Sequence, residues 1–123
     1  MKVAIIVISD PKAGEEALAR VFNALAAAEE AEKSGHETEI SFVGTGTRWP
    51  AELAKLIHPA HALFEKVRTL VVGASGACAT IFGATEGLRS AGVQEKRDNP
   101  IPGTPGLLSL KRYVEADWKI LLF

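Results

Sequence analysis

The chain has 123 residues, 47% of them hydrophobic and 24% charged. That composition suits one globular domain, 1–123, built around one core, and excludes a disordered or collagen-like chain. Fourteen basic and fifteen acidic residues leave a formal net charge of -1, without the basic stripe that holds nucleic acid, so no nucleic-acid partner is expected.

Val3 to Ile8 is a continuous apolar run. It is too short to span a bilayer and no small-residue cleavage site follows it, so neither a membrane segment nor a leader is expected. It reads as a strand buried on both faces, the kind found in parallel sheets covered by helices. Asp10-Pro11 then supplies a cap and a first-turn proline for a long helix. Leu18, Val21, Phe22 and Leu25 recur in it at helical spacing, and Gly35 ends it.

Ile40, Phe42 and Val43 form a second strand, followed by the loop Gly44-Thr45-Gly46-Thr47. Pro50 to Ile57 predicts a short helix, broken at His58-Pro59, and Pro59 begins another stretch that runs to Val67. Leu70 to Val72 is a third buried strand that ends at Gly73. With Ser75 as its N-cap, the next helix holds Cys78 in its first turn, Ala77, Ile81, Ala84 and Leu88 along an apolar stripe, and a stop at Gly92.

Val93 to Lys96 is a weak fourth strand, and Arg97 to Gly106 is a loop with three prolines and two glycines. Thr104-Pro105 starts a last helix bearing Leu107, Leu108, Leu110, Tyr113 and Val114, and Trp118 to Phe123 closes the chain as a strand. Strand alternating with helix four or five times predicts an α/β fold with an open, mainly parallel sheet of about five strands.

In open α/β sheets, ligands bind outside the carboxyl ends of the strands. Three loops leave those ends here: Ser9 to Gly14, Gly44 to Trp49, and Gly73 to Cys78. Gly44, Thr45 and Gly46 are candidate ligand contacts, as are Ser75, Gly76 and Ala77, whose backbone amides would hold an anion. Neither loop is a P-loop or a dinucleotide fingerprint. Arg48 and Trp49 flank the second loop, and Trp49 reads either as a residue that closes a site or as an interface anchor. Arg97, Asp98 and Asn99 would contact a ligand or a neighbouring subunit from the long loop. Ala74, Ala77, Ile81 and Phe82 read as core.

Cys78 is the one cysteine. Alone it excludes an internal disulfide and a thiolate zinc site, and points to a reducing, cytoplasmic compartment. At a helix N-terminus it has two readings, a thiolate nucleophile favoured by unpaired amides or a small buried apolar residue. His58, His61 and Glu65 have metal-ligand spacing only if one helix carries all three, and Pro59 stands between the histidines. They read better as surface polar residues, and no metal is expected.

The segment Val71-Val72-Gly73-Ala74-Ser75-Gly76-Ala77-Cys78-Ala79-Thr80-Ile81-Phe82-Gly83-Ala84 resembles the DsrE/DsrF-like family. Val3-Ala4-Ile5-Ile6-Val7, His58-Pro59-Ala60-His61-Ala62-Leu63-Phe64 and Ile120-Leu121-Leu122-Phe123 are similar to it as well. The resemblance implies a three-layer α/β/α sandwich that packs as a trimer or hexamer. It also implies a sulfur-relay role, with Cys78 as the cysteine that holds sulfane sulfur as a persulfide between a donor and an acceptor protein. The chain departs from that pattern in having no second cysteine and no basic side chain beside Cys78 in sequence.

The expectation is therefore a sulfur-carrier or sulfurtransferase-like homo-oligomer that needs no cofactor. The alternatives are a non-catalytic module that binds a small ligand, an anion or a nucleotide, and an assembly protein of the same fold.

Overall fold

A computed structural model describes residues 1–123. The first apolar run forms β1 (Lys2–Val7), followed by a 3-10 turn over Pro11–Ala13 and the long helix α1 (Glu15–Lys33). Next come β2 (Glu37–Phe42), a 3-10 turn over Gly44–Arg48, and α2 (Trp49–Leu53) and α3 (His61–Val67). β3 (Val71–Ser75), α4 (Gly76–Ile81), α5 (Thr85–Ala91) and the two-residue β4 (Glu95–Lys96) follow. α6 (Lys111–Glu115) and β5 (Lys119–Leu122) close the chain.

The five strands form one parallel sheet in the order β4-β3-β2-β1-β5. From β1 to β4 the chain steps in one direction along the sheet. Right-handed crossovers then put α1 to α5 on one face. The step from β4 to β5 runs back past β1 and carries α6 to the other face.

The two sides of β1 record this arrangement. Val3, Ile5 and Val7 join a core of 19 buried residues that includes Val21, Leu25, Phe64 and Leu88 from the helices. Ala4 and Ile6 point the other way, into a four-residue cluster completed by Tyr113 and Trp118. The molecule is a three-layer α/β/α sandwich whose second helical layer is thin. At the rim of that layer β5 pairs only with β1, and Ile120, Leu121 and Leu122 are exposed.

Four expectations about the elements are corrected. Asp10 caps the 3-10 turn rather than α1, its Oδ1 accepting the Lys12 N–H at 2.9 Å, and Gly14 at φ +81° separates the two. α2 ends at Leu53 rather than Ile57, and Leu56 and Ile57 lie almost fully exposed in the turn that follows.

The helix expected from Ser75 to Gly92 is two helices. Gly83, at φ +67°, reverses the chain between them and turns Ile81 out to solvent, while Ala84 and Leu88 stay buried. The last helix begins at Lys111 rather than Thr104. Asn99 and Leu107 instead exchange backbone hydrogen bonds of 2.7 and 2.8 Å, which fold the proline-rich loop back on itself. No helix is long and apolar enough to cross a membrane.

Candidate ligand-binding cleft

The largest concavity, about 650 Å³, opens beyond the carboxyl ends of β1 and β2. Four separated segments line it. The turn after β1 and the start of α1 contribute Pro11, Lys12, Glu15 and Leu18, and α2 contributes Trp49, Ala51 and Glu52 behind Arg48. His58 comes from the turn before α3, and Phe82, Gly83, Ala84 and Gly87 from the α4–α5 junction. Volumes of this size suit ligands of nucleoside or drug size.

Arg48 ties three of these segments together. Its Nη1 donates to Asp10 Oδ2 at 2.9 Å and its Nε to the Phe82 carbonyl at 3.0 Å. Its guanidinium also lies 5.5 Å from the centre of the Phe82 ring. The pair is only partly open to water, with the Arg48 and Asp10 side chains 24% and 27% exposed. The Lys12 backbone N–H, and then Arg48, hold the Asp10 carboxyl below its usual pKa against the opposing effect of burial.

Trp49 is buried beneath the cleft, its indole Nε1–H donating to Ser9 Oγ at 3.3 Å and its ring standing edge-on to His58. Trp49 thus forms part of the wall of the cleft. Burial lowers the His58 pKa below the ordinary imidazole value. Its Nδ1 accepts the Ala60 N–H at 3.0 Å, so the neutral ring carries its proton on Nε2. His61, the first residue of α3, instead donates from Nδ1 to the Leu53 carbonyl at 2.8 Å. His58, His61 and Glu65 therefore do not share a helix, and no group of three metal-binding side chains converges anywhere in the chain.

The residues expected to form a site around Cys78 lie elsewhere. Cys78 is half-buried within the six-residue α4 and does not line the cleft. Ser75 caps no helix with its side chain; its buried hydroxyl accepts the Leu108 N–H at 3.1 Å and fixes the returning loop. The Ala77 N–H donates to the Gly106 carbonyl at 2.9 Å and is not available to an anion. Gly76 lies under Arg97, where a Cβ would come within 2.5 Å of Cγ. Asp98 accepts the Ser109 N–H, Arg97 pairs with Glu95, and the Asn99 backbone pairs with Leu107.

Gly44, Thr45 and Gly46 likewise build a turn and do not line the cleft. Thr45 Oγ1 donates to the Ile8 carbonyl and the Gly46 N–H to the Val43 carbonyl. A Cβ on Gly46 would stand 2.2 Å from the Val7 carbonyl oxygen, so glycine there lets the turn lie against the end of β1.

The sequence pointed to Arg48 and Trp49 beside this site, but it suggested His58 only as a metal ligand, Phe82 only as core, and Lys12 not at all. The one local signal for these was their place in or beside βα loops, which is common to every α/β protein. No protein-family model, curated protein or solved structure matches this chain.

Proposed function

We propose that the protein is a small-ligand binding module whose ligand occupies the cleft around Arg48 and Trp49. One observation carries this reading. Four segments far apart in sequence converge at the carboxyl end of the sheet to line an open cleft of about 650 Å³, where open α/β sheets take their ligands. The lining holds no serine, threonine, cysteine or tyrosine.

The test is a thermal-shift screen of nucleotides and small organic acids, amides and amines, read together with Trp49 fluorescence in a Trp118→Phe background. Binding to the folded state at about 100 times Kd adds about 2.7 kcal/mol. For a domain of this size that is a rise in Tm of roughly 10 °C. Stabilisation accompanied by a change in Trp49 emission is expected from at least one class. No effect on either from any class would overturn the reading.

A second reading keeps Cys78 as a sulfur carrier, favoured by its being a free, partly accessible thiol in the first turn of α4. The Cys78 thiolate would attack the outer sulfur of a persulfide donor, form the new S–S bond and release the donor thiolate. The oligomer implied by the family resemblance belongs to this reading. Intact mass after donor treatment decides it: a one-sulfur adduct lost in Cys78→Ser sustains it, and an unmodified wild-type protein ends it.

A further inference from the structure

We infer that the cleft selects a compact ligand with an apolar body and an oxyanion, a carboxylate or a phosphate, placed against Arg48 and Lys12. The inference rests on the reading of the cleft as a binding site and adds the charge of what enters it. The hydrogen-bonding capacity left over around the cleft carries it.

Arg48 spends Nε on Phe82 and Nη1 on Asp10, while Nη2 has no acceptor within the protein. The two bonds it makes fix the guanidinium plane, so an incoming oxyanion would meet a donor already held in position. Lys12 forms no ion pair, and its ammonium is exposed at the same wall. The His58 ring offers Nε2–H, since Nδ1 is engaged with Ala60. Three donors thus border the cleft unspent.

The acceptors are not in the same condition. Glu52 is bound to Lys55 at 2.9 Å. Asp10 is already satisfied by the Lys12 N–H and by Arg48. Glu15 is exposed in the first turn of α1, where the positive end of a long helix holds an acidic side chain favourably. A cation would find one cleft carboxylate without an ion pair, that of Glu15, against three unspent donors. An oxyanion would find donors without partners.

The remaining wall is apolar, formed by Leu18, Trp49, Phe82 and Ala84, and would pack against a hydrocarbon or aromatic body. Gly83 adds no side chain, and the space beside its Cα is open for 4 Å. Together these features describe a site for an aryl or alkyl acid rather than for a bare inorganic ion.

Four probes of one shape separate the possibilities: benzoate, phenyl phosphate, benzamide and benzylamine. Each is titrated into the 15N-labelled protein, with the Trp49 indole and Arg48 Nε resonances as reporters. Benzoate or phenyl phosphate is expected to bind with a Kd on the order of 1 mM, at least about tenfold more tightly than benzamide or benzylamine. The tighter of the two acids assigns the oxyanion.

Arg48→Gln should remove about tenfold of the acid's affinity and none of the amide's. Because Arg48 also supports the fold, Lys12→Gln serves as the second variant; its exposed ammonium has no contact to lose, and it should weaken the acids by about twofold to fivefold. Equal binding of amide or amine at the same resonances would overturn the oxyanion inference and leave the binding reading in place. If none of the four probes moves those resonances, the oxyanion inference falls, and the thermal-shift screen across the other ligand classes decides the binding reading.

Discussion

Arg48 and Asp10 form an ion pair, 2.9 Å from Nη1 to Oδ2, that joins the exits of the two adjacent central strands β1 and β2. Replacing Arg48 with alanine removes this bond and the one to the Phe82 carbonyl. A loss of about 1–3 kcal/mol is expected in urea unfolding at pH 7.

The pair also carries a pH signature. The Asp10 pKa is lowered on folding, so its contribution is present above the unfolded value of about 3.9 and is lost as pH falls through the folded one. The stability gap between wild type and Asp10→Asn should therefore be full at pH 6 and shrink steadily below about pH 4. A gap independent of pH would show that the pair is inert.

Tyr113 is the only tyrosine, and it is the principal cover of the thin face. Its buried hydroxyl donates to Glu39 Oε1 at 2.8 Å and so receives the Ser41 hydroxyl at 3.1 Å. Burial raises its pKa above the usual phenol value. Ultraviolet titration of this single phenol should show a midpoint above about 10, with stability intact below that pH and falling as pH rises through the folded pKa. Tyr113→Phe should cost about 1–2 kcal/mol, because it leaves the Ser41 hydroxyl buried without a partner.

Two glycines should respond differently to alanine. At Gly46 a Cβ would sit 2.2 Å from the Val7 carbonyl oxygen, a backbone atom that cannot yield. Gly46→Ala should cost several kcal/mol or prevent folding, on the scale of about 3 kcal/mol or more seen for severe strain. At Gly83 the space is open and only φ +67° resists, so Gly83→Ala should cost about 1–2 kcal/mol. Comparable losses at both positions would contradict the packing of the Gly44–Arg48 turn against β1.

Glu29 links α1 to α3. Its Oε1 accepts from Lys33 at 2.8 Å and from Lys66 at 2.5 Å, and these bonds, Lys33 first, lower its pKa to about 2. Carboxyl NMR should find Glu29 titrating near that pH. In Lys66→Met the midpoint should move up towards the ordinary value of about 4.3 without reaching it, since Lys33 remains.

β1, β2 and β3 were legible because each is short and mostly buried. Val3 to Ile8 needs no tertiary information to be read as a strand covered on both faces, and the glycines and prolines after it mark where chain direction changes. The junction at Phe82-Gly83-Ala84 was not legible. The spacing of Ala77, Ile81, Ala84 and Leu88 fits one continuous helix, and only the packed chain shows Gly83 in the left-handed conformation with Ile81 outside. The last helix failed for a related reason. The Asn99–Leu107 pairing and the Ser75–Leu108 bond are long-range contacts that outweigh a local Thr-Pro start signal.

From the sequence alone came the class of fold, the direction of the sheet and the number of strands. These follow from periodicity, strand length and the handedness of crossovers, which are local or general properties of chains. The tertiary structure decided which loop residues are free. The hydroxyl of Ser75, the amide of Ala77 and the turn at Gly44–Gly46 are taken up by bonds and contacts with distant parts of the chain. Lys12, the third nitrogen of Arg48 and the Nε2 of His58 are left over. Whether a polar group is spent or available depends on what folding brings beside it, and no spacing of residues along one segment records that.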